Sequence, residues 1–189
     1  MRGLGKRLLS GRIEVGQDIG VQVFAADGAL IDSIAPGSMT VTDWGIVYER
    51  WVGLELEKEG WEVDYRGLSL GFYDGGVDLV AFREGNTRYL QCKFKSNSMG
   101  NQRIQNVLYA ADRYLNDQPL SRSDTFELVV PSIAKAFPTK PRKNKQTKPN
   151  LAEQRFKAAN NRITVKITEI PMPLGHLHDR PEPALLPIA

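Results

Sequence analysis

Cysteine is almost missing: Cys92 is the only one in 189 residues, so neither an intrachain disulfide nor a multi-cysteine zinc site can form. Long apolar runs are missing too. None approaches the ~20 residues that a membrane-spanning helix needs, so no membrane partner is expected. The opening stretch Met1 to Ser10 is basic, but no apolar segment with a small-residue cleavage site follows it. A secretory leader is therefore not expected, and a cytoplasmic setting is. There are two histidines, His176 and His178, and with Asp179 they have a metal-like spacing. They sit in a stretch from Pro171 onward with five prolines in 19 residues, which reads as an extended tail over 171–189.

What is present fits one globular domain: 41% hydrophobic and 25% charged residues, without internal repeats. The net charge of +3 is small, but the charges are sorted along the chain. Between Pro131 and Asn150 lie six basic residues (Lys135, Lys140, Arg142, Lys143, Lys145, Lys148) and no acidic one. Acids gather earlier, at Glu49, Glu55, Glu57, Glu59, Glu62 and Asp64. Such sorting suits a chain that holds a polyanion with one region and cations with another.

The pattern along the chain predicts an N-terminal β-hairpin extension over 1–41. Ile19, Val21 and Val23 alternate inward, Leu30 and Ile34 mark the returning strand, and Asp27-Gly28 supplies the turn. This hairpin could cover a sheet edge, form a homodimer contact or reach a ligand. A helix follows from about Asp43 to Glu59, capped by Thr42 or Asp43 and stopped by Gly60, with Trp44, Val47, Tyr48, Trp51, Val52 and Leu54 as its apolar stripe. Strands are expected at Trp61–Tyr65, Val77–Phe82 and Tyr89–Lys95. The second and third are joined by a turn at Glu84-Gly85-Asn86. A helix over Gln102–Leu115 shows Ile104, Leu108, Ala111 and Leu115 on one face. A strand at Phe126–Val130, the basic loop, a short helix near 151–159 and a last strand at Ile163–Ile167 complete the series.

Three of these elements carry groups with chemical potential. In a strand, Gln91 and Lys93 share one face while Leu90, Cys92 and Phe94 take the other, so the polar pair must meet water or a site. Asp78 follows two glycines and shares its face with Val80 and Phe82, an environment that is costly for a carboxylate without a partner or metal. The turn at Gly85 lets Asp78 meet Gln91 and Lys93 across the ladder. Glu49 stands on the margin of the helical stripe and can lean toward the sheet. Carboxylates, an amide and a lysine converging at a sheet edge suit metal-assisted phosphodiester hydrolysis.

Glu49, then Gly-Gly-Val-Asp78, then Gln91-Cys92-Lys93 resembles the Mrr-type branch of the PD-(D/E)XK nuclease superfamily. The resemblance covers roughly Asp43 to Val130. It implies an α/β, restriction endonuclease-like αβββαβ core with a mixed sheet flanked by helices, in a domain spanning 42–170. It also implies metal-dependent endonuclease activity on double-stranded or branched DNA, with Mg²⁺ or Mn²⁺ as cofactor. Glu49, Asp78, Gln91 and the Cys92 carbonyl would face the metal, and Lys93 would position the attacking water. Gln91 replaces the superfamily's commoner acidic residue, and this keeps a DNA-binding or assembly module without catalysis as the alternative. Gln105-Asn-Val-Leu-Tyr109 resembles the Gln-x-x-x-Tyr element of RecB-type members and implies DNA contacts by Gln105 and Tyr109. The basic run of the 131–150 loop is expected to attract the phosphate backbone.

Overall fold

The structure, a computed structural model, describes residues 3–71, 75–94, 98–138 and 163–173. Most of the expected basic loop, the helix near 151–159 and the tail beyond Pro173 lie outside the described residues.

The first long helix, α2 (Val41–Lys58), begins earlier than its sequence predicts. Thr40 is the N-cap. Its hydroxyl accepts from the Asp43 N–H at 3.2 Å, and the Asp43 carboxylate accepts from the Thr40 N–H at 2.9 Å. Asp43 is therefore the third residue of a capping box and not the cap itself. Gly60, at φ 85°, ends the helix as expected.

Beyond α2 come β4 (Glu62–Asp64), α3 (Arg66–Leu70), β5 (Leu79–Arg83), β6 (Asn86–Cys92), α4 (Asn101–Leu115), β7 (Thr125–Val130), α5 (Ile133–Ala136) and β8 (Thr164–Glu169). The strands form one five-stranded mixed sheet in the order β4-β5-β6-β7-β8. Its first three strands are antiparallel, and β7 and β8 continue parallel to β6. The expected αβββαβ order is thus present, with β8 extending the sheet. Glu84 (φ 51°) and Gly85 (φ 76°) make the tight turn that sets the β5–β6 register, Leu79 opposite Leu90.

Two apolar layers sandwich this sheet. On one face Tyr48, Val52 and Leu56 of α2 pack on Leu79, Ala81, Leu90, Cys92 and Val129. On the other, Ile104, Val107, Ala111 and Leu115 of α4 pack on Val80, Tyr89, Phe126 and Leu128. Strand β7, central and covered on both sides, is buried at every position. Val77 corrects the strand reading: it joins the α4 layer with Val80, not the α2 layer with Leu79 and Ala81. It precedes the regular strand, so the two-residue alternation does not yet apply to it.

The N-terminal extension is more than a hairpin. After α1 (Leu4–Leu8), strands β1 (Arg12–Gly16), β2 (Gly20–Phe24) and β3 (Leu30–Ile34) form a three-stranded antiparallel sheet. Ile13 and Val15 alternate inward just as Val21 and Val23 do, whereas Ile19 lies in a turn and is exposed. Of Asp27-Gly28, Gly28 alone takes a positive φ. The extension packs on α2 through Trp44, Val47 and Leu54. Arg50 ties it down by donating to the Leu8 and Gly11 carbonyls, at 3.2 and 3.3 Å.

Candidate active site

Asp78 is delivered by the Gly75-Gly76 turn, whose residues have φ of 73° and 81°. A Cβ on Gly76 would stand 2.5 Å from the Ala110 side chain, so the turn lies against α4 with no room for one. Asp78 is then fixed by its own backbone. Its N–H donates to the Leu90 carbonyl and its carbonyl accepts from the Gly67 N–H, both at 2.8 Å. Asp78, one residue before β5, meets the Gln91 side chain of β6. Asp78 Oδ2 accepts from Gln91 Nε2 at 2.5 Å and from the Cys92 N–H at 2.6 Å. An ionised carboxylate only accepts, so the Gln91 amide turns its NH₂ toward Asp78, and its Oε1 takes no part in that bond.

Glu49 arrives from α2. A Cβ on Gly67 would lie 2.5 Å from a Glu49 carboxylate oxygen and 3.3 Å from the Asp78 Cα. The Glu49 carboxylate and the Asp78 backbone therefore border the same space, which this glycine leaves open. Both act on Cys92: burial pushes its thiol well up, and the negative charges of Asp78 and Glu49 push it further. The thiol is thus held protonated, and what Cys92 can offer the site is its backbone carbonyl.

Gln91 is buried and Lys93 half-buried, and both open into a cleft of about 570 Å³ between the end of β6 and α4. Phe94 anchors the opposite side of this segment, its ring 5.4 Å from Tyr48 and 6.4 Å from Trp44. Leu90, Cys92 and Phe94 therefore face the α2 layer, while Gln91 and Lys93 face the cleft. The helical wall contributes Gln102, Arg103, Asn106 and Ala110. Gln105 and Tyr109 are not among the lining residues; both are exposed on another side of α4. Lys135 is exposed within α5, and Lys140, Arg142, Lys143, Lys145 and Lys148 lie outside the described residues.

Residues 45–120 match the Mrr_cat restriction endonuclease family model. This segment is similar to the restriction endonuclease domain of the Mrr-like PD-(D/E)XK branch. It begins in the first turns of α2, ends beyond α4, and contains Glu49, Asp78, Gln91, Lys93 and Arg103. No curated protein and no solved structure matches the chain.

The sequence concealed the positions of Gly67 beside Glu49 and of Arg103 on the cleft wall. A glycine in a short helix gives no signal until the carboxylate beside it is known. Arg103 could have been found as the helix position one turn before Val107 on the flank of the apolar stripe.

Proposed function

We propose that this protein is a metal-dependent DNA endonuclease, with Glu49, Asp78, Gln91 and Lys93 as its catalytic group. The observation that carries this reading is the space beside Gly67 that Glu49 and Asp78 both border, next to a cleft lined by Gln91 and Lys93. Two acids from separate elements that border one partly buried space can share a bound cation.

The donors fit a small, hard cation. Among the described residues no three His, Cys, Asp or Glu side chains converge. The protein would supply Glu49, Asp78, the Cys92 carbonyl and Gln91 Oε1, all oxygens, and water would complete the sphere. Mg²⁺ and Mn²⁺ suit such a set, since Mg²⁺ commonly keeps several waters and few carboxylates. When bound, the ion would polarise a phosphoryl oxygen and lower the pKa of water.

The chain's own residues do the rest. Asp78 is held by two short hydrogen bonds and a doubly pinned backbone, so it meets a phosphate without reorganising. Lys93 extends a cation into the cleft from the strand end, where it offsets charge on the phosphate and orients the attacking water. Cys92 stays protonated and takes no part as a nucleophile. The basic residues from Lys135 to Lys148 would add affinity for the backbone without touching the reacting atoms.

The test is incubation of the full chain with supercoiled, linear and branched DNA in Mg²⁺, Mn²⁺ or chelator, alongside Asp78→Asn. Metal-dependent cutting by the wild type and none by the variant is expected. DNA binding without cutting in either metal would leave a binding module in place of an enzyme.

A further inference from the structure

Arg103 lies on α4 and faces the same cleft as Gln91 and Lys93, with Gln102 and Asn106 beside it. Its position is the third of the helix, just after Gly100, and Ile104 next to it is buried in the α4 layer. The backbone is thereby fixed, and the side chain is half-buried along the cleft wall. Among the described residues Arg103 belongs to no ion pair, unlike Arg7, Arg50 and Arg88, each of which has a carboxylate. Gln102 is partly committed, its amide donating to Asn106 at 3.1 Å. The cleft thus has a cation on each wall: the Lys93 ammonium on the strand side and the Arg103 guanidinium on the helix side.

We propose that Arg103 binds a phosphate of the DNA strand being cut, so that the backbone enters between the end of β6 and α4 with Lys93 and Arg103 on either side. This deepens the nuclease reading and rests on it for the identity of the substrate. A guanidinium presents a planar fork of N–H donors that matches two phosphate oxygens at once, which an ammonium cannot do. The two cations therefore divide the work. Lys93, beside Asp78, acts at the reacting phosphate. Arg103, held on a different element, positions the strand and contributes before any bond changes. The ligand is the phosphodiester itself, so no base preference follows from this contact.

The experiment compares wild type with Arg103→Ala, Arg103→Gln and Arg103→Lys, all as full chains. Steady-state cleavage of a plasmid is measured, together with equilibrium binding of a labelled duplex in Ca²⁺ over a salt series and calorimetric titration of Mn²⁺. Arg103→Ala and Arg103→Gln should raise KM about ten- to a hundredfold, the usual cost of losing a charged hydrogen bond. Turnover at saturation and Mn²⁺ affinity should stay within about twofold. The log–log salt slope of binding should fall by about 0.9, one duplex phosphate. Arg103→Lys should restore the slope but recover KM only in part. Wild-type KM and slope in both neutral variants would overturn the proposal, as would a fall in kcat alone. A wild type that cuts no DNA sinks the nuclease reading, while the binding series still tests Arg103 independently.

Discussion

Two nearly buried carboxylates at the sheet invite comparison, Asp78 at 3% exposure and Glu127 at 2%. They are neighbours in the fold and opposites in surroundings. Glu127, on β7, accepts from the Arg88 guanidinium on both oxygens, at 2.9 and 2.8 Å, and from the hydroxyls of Thr125 and Thr168 at 2.8 and 2.6 Å. Asp78 Oδ2 accepts from an amide and a backbone N–H, and a second acid, Glu49, borders the same space beside Gly67. A carboxylate locked by an arginine stabilises the fold. In the proposed reading, one placed near a second acid and bonded to a cleft residue serves a cation instead.

The contrast is sharpest under isosteric replacement. Asp78→Asn keeps an oxygen for Gln91 and Cys92, so the fold should survive with a melting temperature near that of the wild type. Cleavage should fall by at least about a thousandfold, because a charged metal ligand is worth several kcal/mol in the transition state. A variant that cuts at more than a tenth of the wild-type rate would break the distinction.

Glu127→Gln should behave in the opposite way. It places an amide donor against Arg88 and the threonines and leaves the guanidinium, itself 17% exposed, without its main counter-charge. Unfolding free energy should drop by about 3 kcal/mol, with cleavage per folded molecule retained. The wild-type pH profile adds a second check. Burial works to raise the Glu127 pKa, but Arg88 and the two hydroxyls outweigh it and the value is lowered. Folded Glu127 therefore binds fewer protons than unfolded Glu127. Its contribution is complete above the ordinary glutamate pKa near 4.3 and is lost as pH falls through the lowered value. In Glu127→Gln the part of acid destabilisation due to this group should be absent. Denaturant titrations at pH 7 and pH 4 that show equal losses in both proteins would remove Glu127 from the account.

The meeting of Asp78 with Gln91 could be read from the sequence, and the partners of Glu127 could not. The Gly-Gly-Val-Asp pattern and the two-residue period of Gln91 and Lys93 are local signals, and the turn at Glu84-Gly85 supplied the register that joined them. Glu127 sits in a run, Phe126 to Val130, that reads as an apolar strand, and its partners other than Thr125 are 39 and 41 residues away. Only strand pairing across β6 and β8 reveals them. The same limit applies to α1, α3 and α5. Helices of four or five residues have too few turns to show a period, and packing stabilises them more than propensity does. The α2 boundary was misplaced because Asp43 suits either the cap or the third position, and the choice falls to Thr40.

Gly67 supplies a finer test of the acidic side. Its φ is not positive, so space is the constraint on this residue and not backbone conformation. In Gly67→Ala the new methyl would overlap the Glu49 carboxylate, which must swing away from Asp78. Cleavage should fall about tenfold to a hundredfold with a loss of stability of no more than about 1 kcal/mol, and Mn²⁺ affinity should weaken in parallel. Glu49→Gln in the same background should then cost less than it does in the wild type, because the carboxylate is already displaced. Additive losses in this double-mutant cycle would show that Gly67 and Glu49 act separately.

The smallest effect concerns the residue that departs from the superfamily's pattern. Gln91 now donates to Asp78, so Gln91→Glu replaces a donor with a third negative charge beside Asp78 and Glu49. Without metal this should lower stability by about 1 kcal/mol, since like charges in a partly buried site repel. With metal the added charge becomes a ligand, and Mn²⁺ affinity should rise by about tenfold. The two effects have one cause, so they should appear together: a lower melting temperature in chelator, and a larger rise on adding Mn²⁺ than the wild type shows. The cleavage rate is free to move either way, because tighter ground-state binding does not by itself favour the transition state. Unchanged Mn²⁺ affinity, measured by calorimetry, would mean that position 91 orients Asp78 and does not face the ion. Gln91 would then belong with the scaffold, as Arg88 does on the other side of the sheet.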